Sequence, residues 1–245
     1  MKNKISNTLI VILAGGFGTR VKHLLKDLPK PLAIVSGHPF LFWVIKFYYE
    51  KGFRNITLAC HYNSNYFYDF IKKLSYSDLS INIIVESEPL GTAGSFLNVF
   101  NKYDNFEHYI VHNGDTYLNY KKDIFDKFYN NQNDLQIVVK KMSDCLRYGT
   151  LNFDEDKNLL SFNEKKPGEG YINTGIYFIN KNILINIFFG KKLLSFEYDF
   201  FPELLIRKFV IKVHISDDDF IDIGTENSLK SSQNFIDKLL LNDEM

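Results

Sequence analysis

One short stretch near the start of the chain constrains it most. Residues 8–14 (TLIVILA) form a continuous apolar run, rich in β-branched residues and free of charge. That is the pattern of a strand buried on both faces. Gly15, Gly16 and Gly18 follow at once, then Thr19 and Arg20, and further on Lys30 lies between Pro29 and Pro31. Glycines let backbone N–H groups approach an anion closely, with no Cβ in the way. Arg20 adds a planar fork for phosphate oxygens and Lys30 a point charge. A Walker-type loop would end in Gly-Lys-Ser/Thr, whereas this one ends in Gly-Thr-Arg. A dinucleotide fingerprint would place a third glycine where Arg20 and Val21 stand. Three glycines alone would also suit a structural turn. Strand, glycines, Arg20 and the Pro-Lys-Pro together predict a loop that holds a polyphosphate.

The chain has 245 residues, 45 % of them apolar and 16 % aromatic, enough to bury the core of one large α/β domain. Its 29 basic and 29 acidic residues cancel. That balance argues against an electrostatic nucleic-acid binder or a polybasic membrane protein. Cys60 and Cys145 sit in LACHY and SDCLR, without metal or redox spacing, so free thiols in a reducing cytoplasm are expected. Residues 1–7 are too polar and short for a signal peptide, and no apolar run reaches membrane-spanning length. The six histidines show no metal spacing, and the aromatic cluster from Tyr62 to Phe70 reads as packing.

Strand-length apolar runs recur at Ile56, Ile81, His108, Gln136, Tyr171 and Val210. Helical patterns over residues 39–51, 66–74, 93–100 and 122–130 separate the early ones. The alternation predicts a doubly wound, mixed but mostly parallel sheet. The second half is richer in strands, with turn signals at residues 154–156 and 166–168, which predicts a β-rich lid. A single domain is expected: a nucleotide-binding part over about residues 8–140, a second part over about 141–225 and a closing helix over about 228–241.

Four further constellations carry chemistry. Asn113-Gly114-Asp115 ends the strand HYIV, where open α/β sheets bind ligands. Asp222 lies among isoleucines in FIDIGT, and a carboxylate there needs a metal or an N-cap bond. Asp115 and Asp222 together would form a two-carboxylate Mg2+ site beside the polyphosphate. Glu164-Lys165 offers a hydroxyl acceptor and a cation for a second phosphate, although it would also suit a charged hairpin tip, and Asn173-Thr174-Gly175 faces the same ligand in this reading. The segment from Glu86 through Gly91, Thr92 and Gly94 links a strand to a helix on the same rim.

In this order and spacing, LAGGFGTR, KDLPKPLA, EPLGTAGS, NGDTY, FNEKKP, YINTGIYF and FIDIGT resemble the sugar-1-phosphate nucleotidyltransferases, across nearly the whole chain. Within that family, VKHLLKDLPKPLAIVSGHPFL, EPLGTAG and SFEYDFFP look most like the D-glycero-D-manno-heptose 1-phosphate guanylyltransferases, which make GDP-heptose for bacterial capsule or surface polysaccharide. The resemblance implies a Rossmann-like nucleotidyltransferase fold with a sugar-binding lid. It implies nucleotide contacts from Leu13, Ala14, Gly15, Gly16, Gly18, Thr19, Arg20, Lys30, Glu86, Gly91, Thr92, Asn113 and Gly114. Sugar-phosphate contacts would come from Gly149, Glu164, Lys165, Asn173 and Thr174, and Mg2+ (or Mn2+) ligands would be Asp115 and Asp222. Glu86 stands where relatives read the base, often with Gln; a carboxylate suits guanine, whose N1–H and N2–H2 are adjacent donors. Phe17 in the loop departs from the usual pattern without touching an expected contact.

The implied partners are GTP and heptose 1-phosphate, with mannose, glucose or another sugar 1-phosphate and another nucleoside triphosphate as the alternative, and a homo-oligomer left open. The implied reaction is in-line attack of the sugar's phosphate oxygen on the α-phosphorus, with pyrophosphate leaving. Arg20, Lys30 and Lys165 would screen the meeting of two anions. A metal-dependent glycosyltransferase would more usually show Asp-x-Asp where this chain has Asp115-Thr116-Tyr117. A silent nucleotide-sugar sensor would have no need of all five charged residues.

Overall fold

Alternate residues of the first strand point to opposite faces, and both sets are apolar. In β1 (Thr8–Leu13), Leu9 and Val11 enter one core while Ile10 and Ile12 enter another. A strand of this kind must be covered on both sides. The computed structural model describes residues 2–16, 18–121, 123–130, 134–163, 165, 167–185 and 193–243. Phe17, Glu164, Lys166 and Lys122 lie outside them.

A short helix, α1 (Lys2–Ser6), precedes β1. After the glycine loop come α2 (Lys22–Leu25), a 3-10 turn at Lys30–Leu32 and the small hairpin β2 (Ile34–Val35) and β3 (His38–Pro39). Then α3 (Phe40–Glu50), β4 (Asn55–Cys60), α4 (Asn65–Ile71), β5 (Ser80–Val85), α5 (Gly91–Lys102) and β6 (His108–Asn113) alternate as the pattern predicts. The second half runs β7 (Thr116–Leu118), α6 (Asp123–Asn130), β8 (Leu135–Met142), β9 (Thr150–Phe153), β10 (Leu159–Asn163) and β11 (Gly170–Asn180). A π-helical turn at Phe196–Phe200 leads into α7 (Phe201–Ile206), β12 (Ile211–Ile215), β13 (Phe220–Asp222) and the closing helix α8 (Glu226–Asp243).

Among the described residues the main sheet has nine strands, with β10-β9-β11-β6-β1-β4-β5 in line and β8 joining β11 to β12. β6, β1, β4 and β5 are mutually parallel, and β12 runs parallel to β8. β11 is antiparallel to β6, β8 and β9. One core gathers α3, α6 and α8, and the other gathers α5, α7 and the aromatic π turn. Phe196 anchors the second core, its ring centroid 4.5 Å from that of Tyr177. Cys60 and Cys145 are buried free thiols. Among the described residues no helix is long and apolar enough to cross a membrane.

This topology places the site. From β1 the chain winds outward through β4 and β5, then crosses back to β6 on the other side of β1. The order reverses beside β1, and open parallel sheets leave their ligand crevice at the carboxyl ends of the strands flanking such a reversal. Leu13, Glu86 and Asn113 all sit on that rim.

Candidate active site

A cleft of about 320 Å3 opens at this rim. Leu13, Ala14, Gly15, Gly16, Gly18, Lys30, Glu86, Gly91, Thr92, Asn113 and Asp115 line it, so most of the nucleotide residues expected from the sequence do converge. Pro31, Pro89, Leu90 and Ser95 complete the wall. Gly114 lies just below it, packed so closely that a Cβ would stand 2.9 Å from the Leu13 carbonyl oxygen. Thr19 and Arg20 are exposed at the outer end of the loop.

The loop folds back over Lys30. Gly18 adopts φ +58, and a Cβ there would stand 3.1 Å from that of Lys30. Pro29 and Pro31 bracket Lys30 at the start of its 3-10 turn, and the ammonium group donates to Asp115 Oδ2. The lysine side chain is only 12 % exposed, while the carboxylate keeps 31 % of its surface open to the cleft and solvent.

Asp115 stands in a turn braced from below. His112 is fully buried; its Nε2 lies 3.1 Å from the Thr116 carbonyl, which can only accept, so Nε2 carries the proton. Nδ1 then accepts from the Tyr48 hydroxyl at 2.9 Å, and Tyr48 accepts from Tyr120 at 3.0 Å. Burial holds the His112 imidazole down, from an ordinary 6.5 to about 4. A depressed pKa stabilises the fold above the unfolded value, and that stability is lost as pH falls. Thermal denaturation should therefore show Tm declining between pH 6.5 and 4. His112→Gln should flatten part of the decline, because His108 and His214 are shifted the same way.

The second carboxylate arrives from far along the chain. β13 pairs antiparallel with β7, setting Asp222 opposite Thr116, and the Ile223 N–H donates to the Asp115 carbonyl at 2.9 Å. Neither three-residue strand carries enough pattern to be read from sequence. Asp222 is tightly held: Gly224 N–H donates to Oδ1 at 2.8 Å, Arg147 Nη2 lies 2.8 and 3.0 Å from the two oxygens, and the Tyr148 hydroxyl donates to Oδ2. Burial and this bond push the Tyr148 phenol up. Sequence reasoning missed Arg147 and Tyr148; the only signal was their place beside Gly149. Arg20 reaches the same corner, since a Cβ on Gly224 would stand 3.6 Å from its Nη2.

The donor set fits a magnesium ion. One carboxylate in the turn before β7 and one at the end of β13 offer hard oxygens, and among the described residues no cluster of three or more His, Cys, Asp or Glu adds further ligands. Mg2+ takes one or two carboxylates and completes its octahedron with phosphate oxygens and water. At Asp222 it would have to displace Arg147 and Tyr148.

Glu86 is the outlier. It is 5 % exposed, faces the cleft, and its Oε1 has no hydrogen-bond partner. Burial raises its pKa, outweighing bonds from Ser95 and the Leu90 backbone. A buried carboxylate oxygen without a donor is costly unless a ligand supplies one.

The expected sugar-phosphate residues divide. Asn173 Oδ1 accepts from Gly175 N–H at 3.0 Å, and its Nδ2 donates to Tyr177 and Glu197. Gly175, at φ +76, breaks the register of β11 and leaves room for the Asn113 amide, which a Cβ would meet at 2.2 Å. Thr174 stands beside the bulge, on the face of Ile172 and Ile176. It is fully buried, and its hydroxyl donates to the Val138 carbonyl at 2.8 Å, tying β11 to β8 instead of facing a ligand. Lys165 is exposed, Gly149 sits just before β9, and Glu164 is outside the described residues.

Gly91 joins this half to the nucleotide rim. It opens α5 at φ +73, and a Cβ would lie 2.4 Å from the Leu194 carbonyl oxygen. That carbonyl accepts from Ala93 and Gly94 N–H, satisfying donors that a helix start leaves open. Thr92 Oγ1 accepts from Phe196 N–H at 3.0 Å.

Comparison with known proteins agrees with this geometry. The family model described as Nucleotidyl transferase matches residues 9–238. The D-glycero-alpha-D-manno-heptose 1-phosphate guanylyltransferase of Campylobacter jejuni is 34 % identical over 215 residues, 87 % of this chain and 93 % of the relative. The enzyme of the same name from Aneurinibacillus thermoaerophilus is 34 % identical over 226 residues, 91 % and 96 % respectively. A crystal structure of HddC from Yersinia pseudotuberculosis complexed with GMP-PN superposes with a TM-score of 0.80 at 36 % identity, covering 93 % of this chain and 99 % of that one. Sheet, cleft and sequence agree, and the chain belongs to the nucleotidyl transferase family, enzymes that move a nucleoside monophosphate.

Proposed function

We propose that this enzyme transfers GMP from GTP to D-glycero-D-manno-heptose 1-phosphate, releasing pyrophosphate and forming a GDP-sugar for a surface polysaccharide. The observation that carries the base assignment is Glu86, a buried carboxylate on the cleft wall with an oxygen lacking a donor. Guanine N1–H and N2–H2 supply two donors side by side. The two relatives named as heptose 1-phosphate guanylyltransferases, and the neighbour carrying GMP-PN, support the same substrates.

In this reading the glycine loop holds the triphosphate through backbone N–H groups, with Lys30 beneath and Arg20 at the outer end. Asn173 and Lys165 receive the sugar phosphate, whose ionised oxygen forms a bond to the α-phosphorus as the bond to pyrophosphate breaks. No general base is required, because a phosphate monoester is already ionised at neutral pH. Asp115 and Asp222 would hold Mg2+ (or Mn2+), which when bound neutralises phosphate charge. What the protein contributes is position and charge compensation.

The test is pyrophosphate release over four nucleoside triphosphates and several sugar 1-phosphates, for wild type and Glu86→Gln. GTP should lead for the wild type. The variant should lose about tenfold to a hundredfold of that preference, because its amide would face donors on the base. A pyrimidine nucleotide leading in wild type would overturn the base assignment; an unchanged ranking in the variant would remove Glu86 from it.

Glu86 also makes a stability prediction. A raised carboxyl pKa means that stability present at low pH is lost as pH rises through the folded value. Ligand-free Glu86→Gln should therefore melt higher than wild type at pH 7, with the gap closing toward pH 4. No difference at pH 7 would mean that the buried carboxylate is compensated after all.

A further inference from the structure

The corner around Asp222 carries more positive charge than one carboxylate needs. Arg147 Nη2 contacts both of its oxygens and lies 3.4 Å from Ser228 Oγ, while Arg20 stands over Gly224. Lys30 and Asp115 neutralise each other beside it. Among the described residues, two guanidinium groups against one carboxylate leave a net positive corner, which suits an arriving phosphate.

Arg147 is also built differently from a structural clamp. Its side chain is 39 % exposed while Asp222 is 12 % exposed, and every one of these bonds uses a single nitrogen. Arginine has five N–H donors in a rigid fork. Its aromatic neighbour Tyr148 lies under the guanidinium, with the ring centroid 5.3 Å away. Both residues stand on the loop that enters β9, immediately before Gly149, at the boundary of the sugar-phosphate half.

We propose that Arg147 is a phosphate-binding residue for the sugar 1-phosphate, kept on Asp222 until a divalent cation claims that carboxylate. The inference rests on the functional reading above. The cation and the guanidinium compete for the same two oxygens, so filling the metal site releases the Arg147 fork. The freed fork lies next to the place where an anion must be neutralised. Arg147 would then be available to the second substrate.

Arg147→Met keeps the length of the side chain and removes its charge and donors; Arg147→Lys keeps the charge alone. Steady-state pyrophosphate release with GTP and D-glycero-D-manno-heptose 1-phosphate should show the sugar-phosphate KM of the Met variant rising roughly tenfold to a hundredfold, the loss of one charge-assisted contact. KM for GTP should stay close to wild type, and the Lys variant should fall between. Independently, titration of the substrate-free proteins with Mn2+, read by electron paramagnetic resonance, should show tighter binding in the Met variant, whose Asp222 is free. An unchanged sugar-phosphate KM, or equal rises for both substrates, would overturn the proposal and leave Arg147 a structural clamp. Unchanged or weaker Mn2+ binding would overturn the competition for Asp222. If the Met variant fails to fold by circular dichroism, the Lys variant carries the same readouts. If wild type releases no pyrophosphate with any sugar phosphate, the functional reading fails and the phosphate role of Arg147 falls with it, while the Mn2+ titration still decides the competition for Asp222.

Discussion

Asp115→Asn should reduce kcat by about two to four orders of magnitude while the protein remains folded, and Asp222→Asn should do the same. A metal contact to a transferring phosphoryl group contributes several kcal/mol, and each ~1.4 kcal/mol is a factor of ten in rate. Both side chains stand at the rim, outside the two apolar cores, so the amide replacements cost little packing. Asp115→Asn also takes away the partner of Lys30 and leaves an ammonium group 12 % exposed, which adds a modest stability loss. The check is single-turnover GTP consumption with Mg2+, alongside circular dichroism. A near-normal rate in either variant, or full turnover in EDTA, would remove the two-carboxylate site from the chemistry.

Gly91→Ala should be the most damaging single methyl group in the cleft. The backbone at φ +73 costs an L-residue about 1–2 kcal/mol by itself. The added carbon would also meet the Leu194 carbonyl at 2.4 Å, a contact with backbone that cannot rotate away. Overpacking of this kind adds about 1–3 kcal/mol, so a total near 3 kcal/mol is expected in urea denaturation. Relief would come by pushing the π turn off α5, which breaks the Thr92–Phe196 bond and opens the rim. KM for GTP should rise together with the loss of stability. A variant with wild-type stability would show that the Leu194 strap adjusts freely.

The first half of the fold was legible because its signals are local. The β1 run, the glycines after it and the HYIVHN strand follow from buried parallel strands, and β6 spans the predicted residues. The rim was legible too, since strand ends in such sheets set where ligands go. What escaped sequence reasoning is made by distant pairing. α5 begins at Gly91 and not at Ala93, because a carbonyl from Leu194 completes its first turn. Thr174 looked available within NTG, but it lies on the buried face with Ile172 and Ile176, its hydroxyl bonded to the Val138 carbonyl of β8. Arg147 and Tyr148 lie in a loop without periodicity, and nothing near them in sequence announces Asp222 as their partner. The π turn at residues 196–200 contains Pro-free, aromatic-rich sequence that reads equally well as an ordinary helix start.

The pairing of β7 with β13 has a consequence for how the molecule comes into being. A ribosome delivers the glycine loop, Glu86 and Asp115 long before it delivers Asp222, and domains tend to acquire structure from the amino end first. The growing chain can thus build the cleft around Gly15 and Glu86 while Asp222 has yet to be synthesised. Closing that long loop is an entropic cost met late, by three residues of strand and the helix behind them. Asp222 meets the Asp115 turn only once all of the chain between them has been made, so that corner of the cleft closes after the rest of its rim.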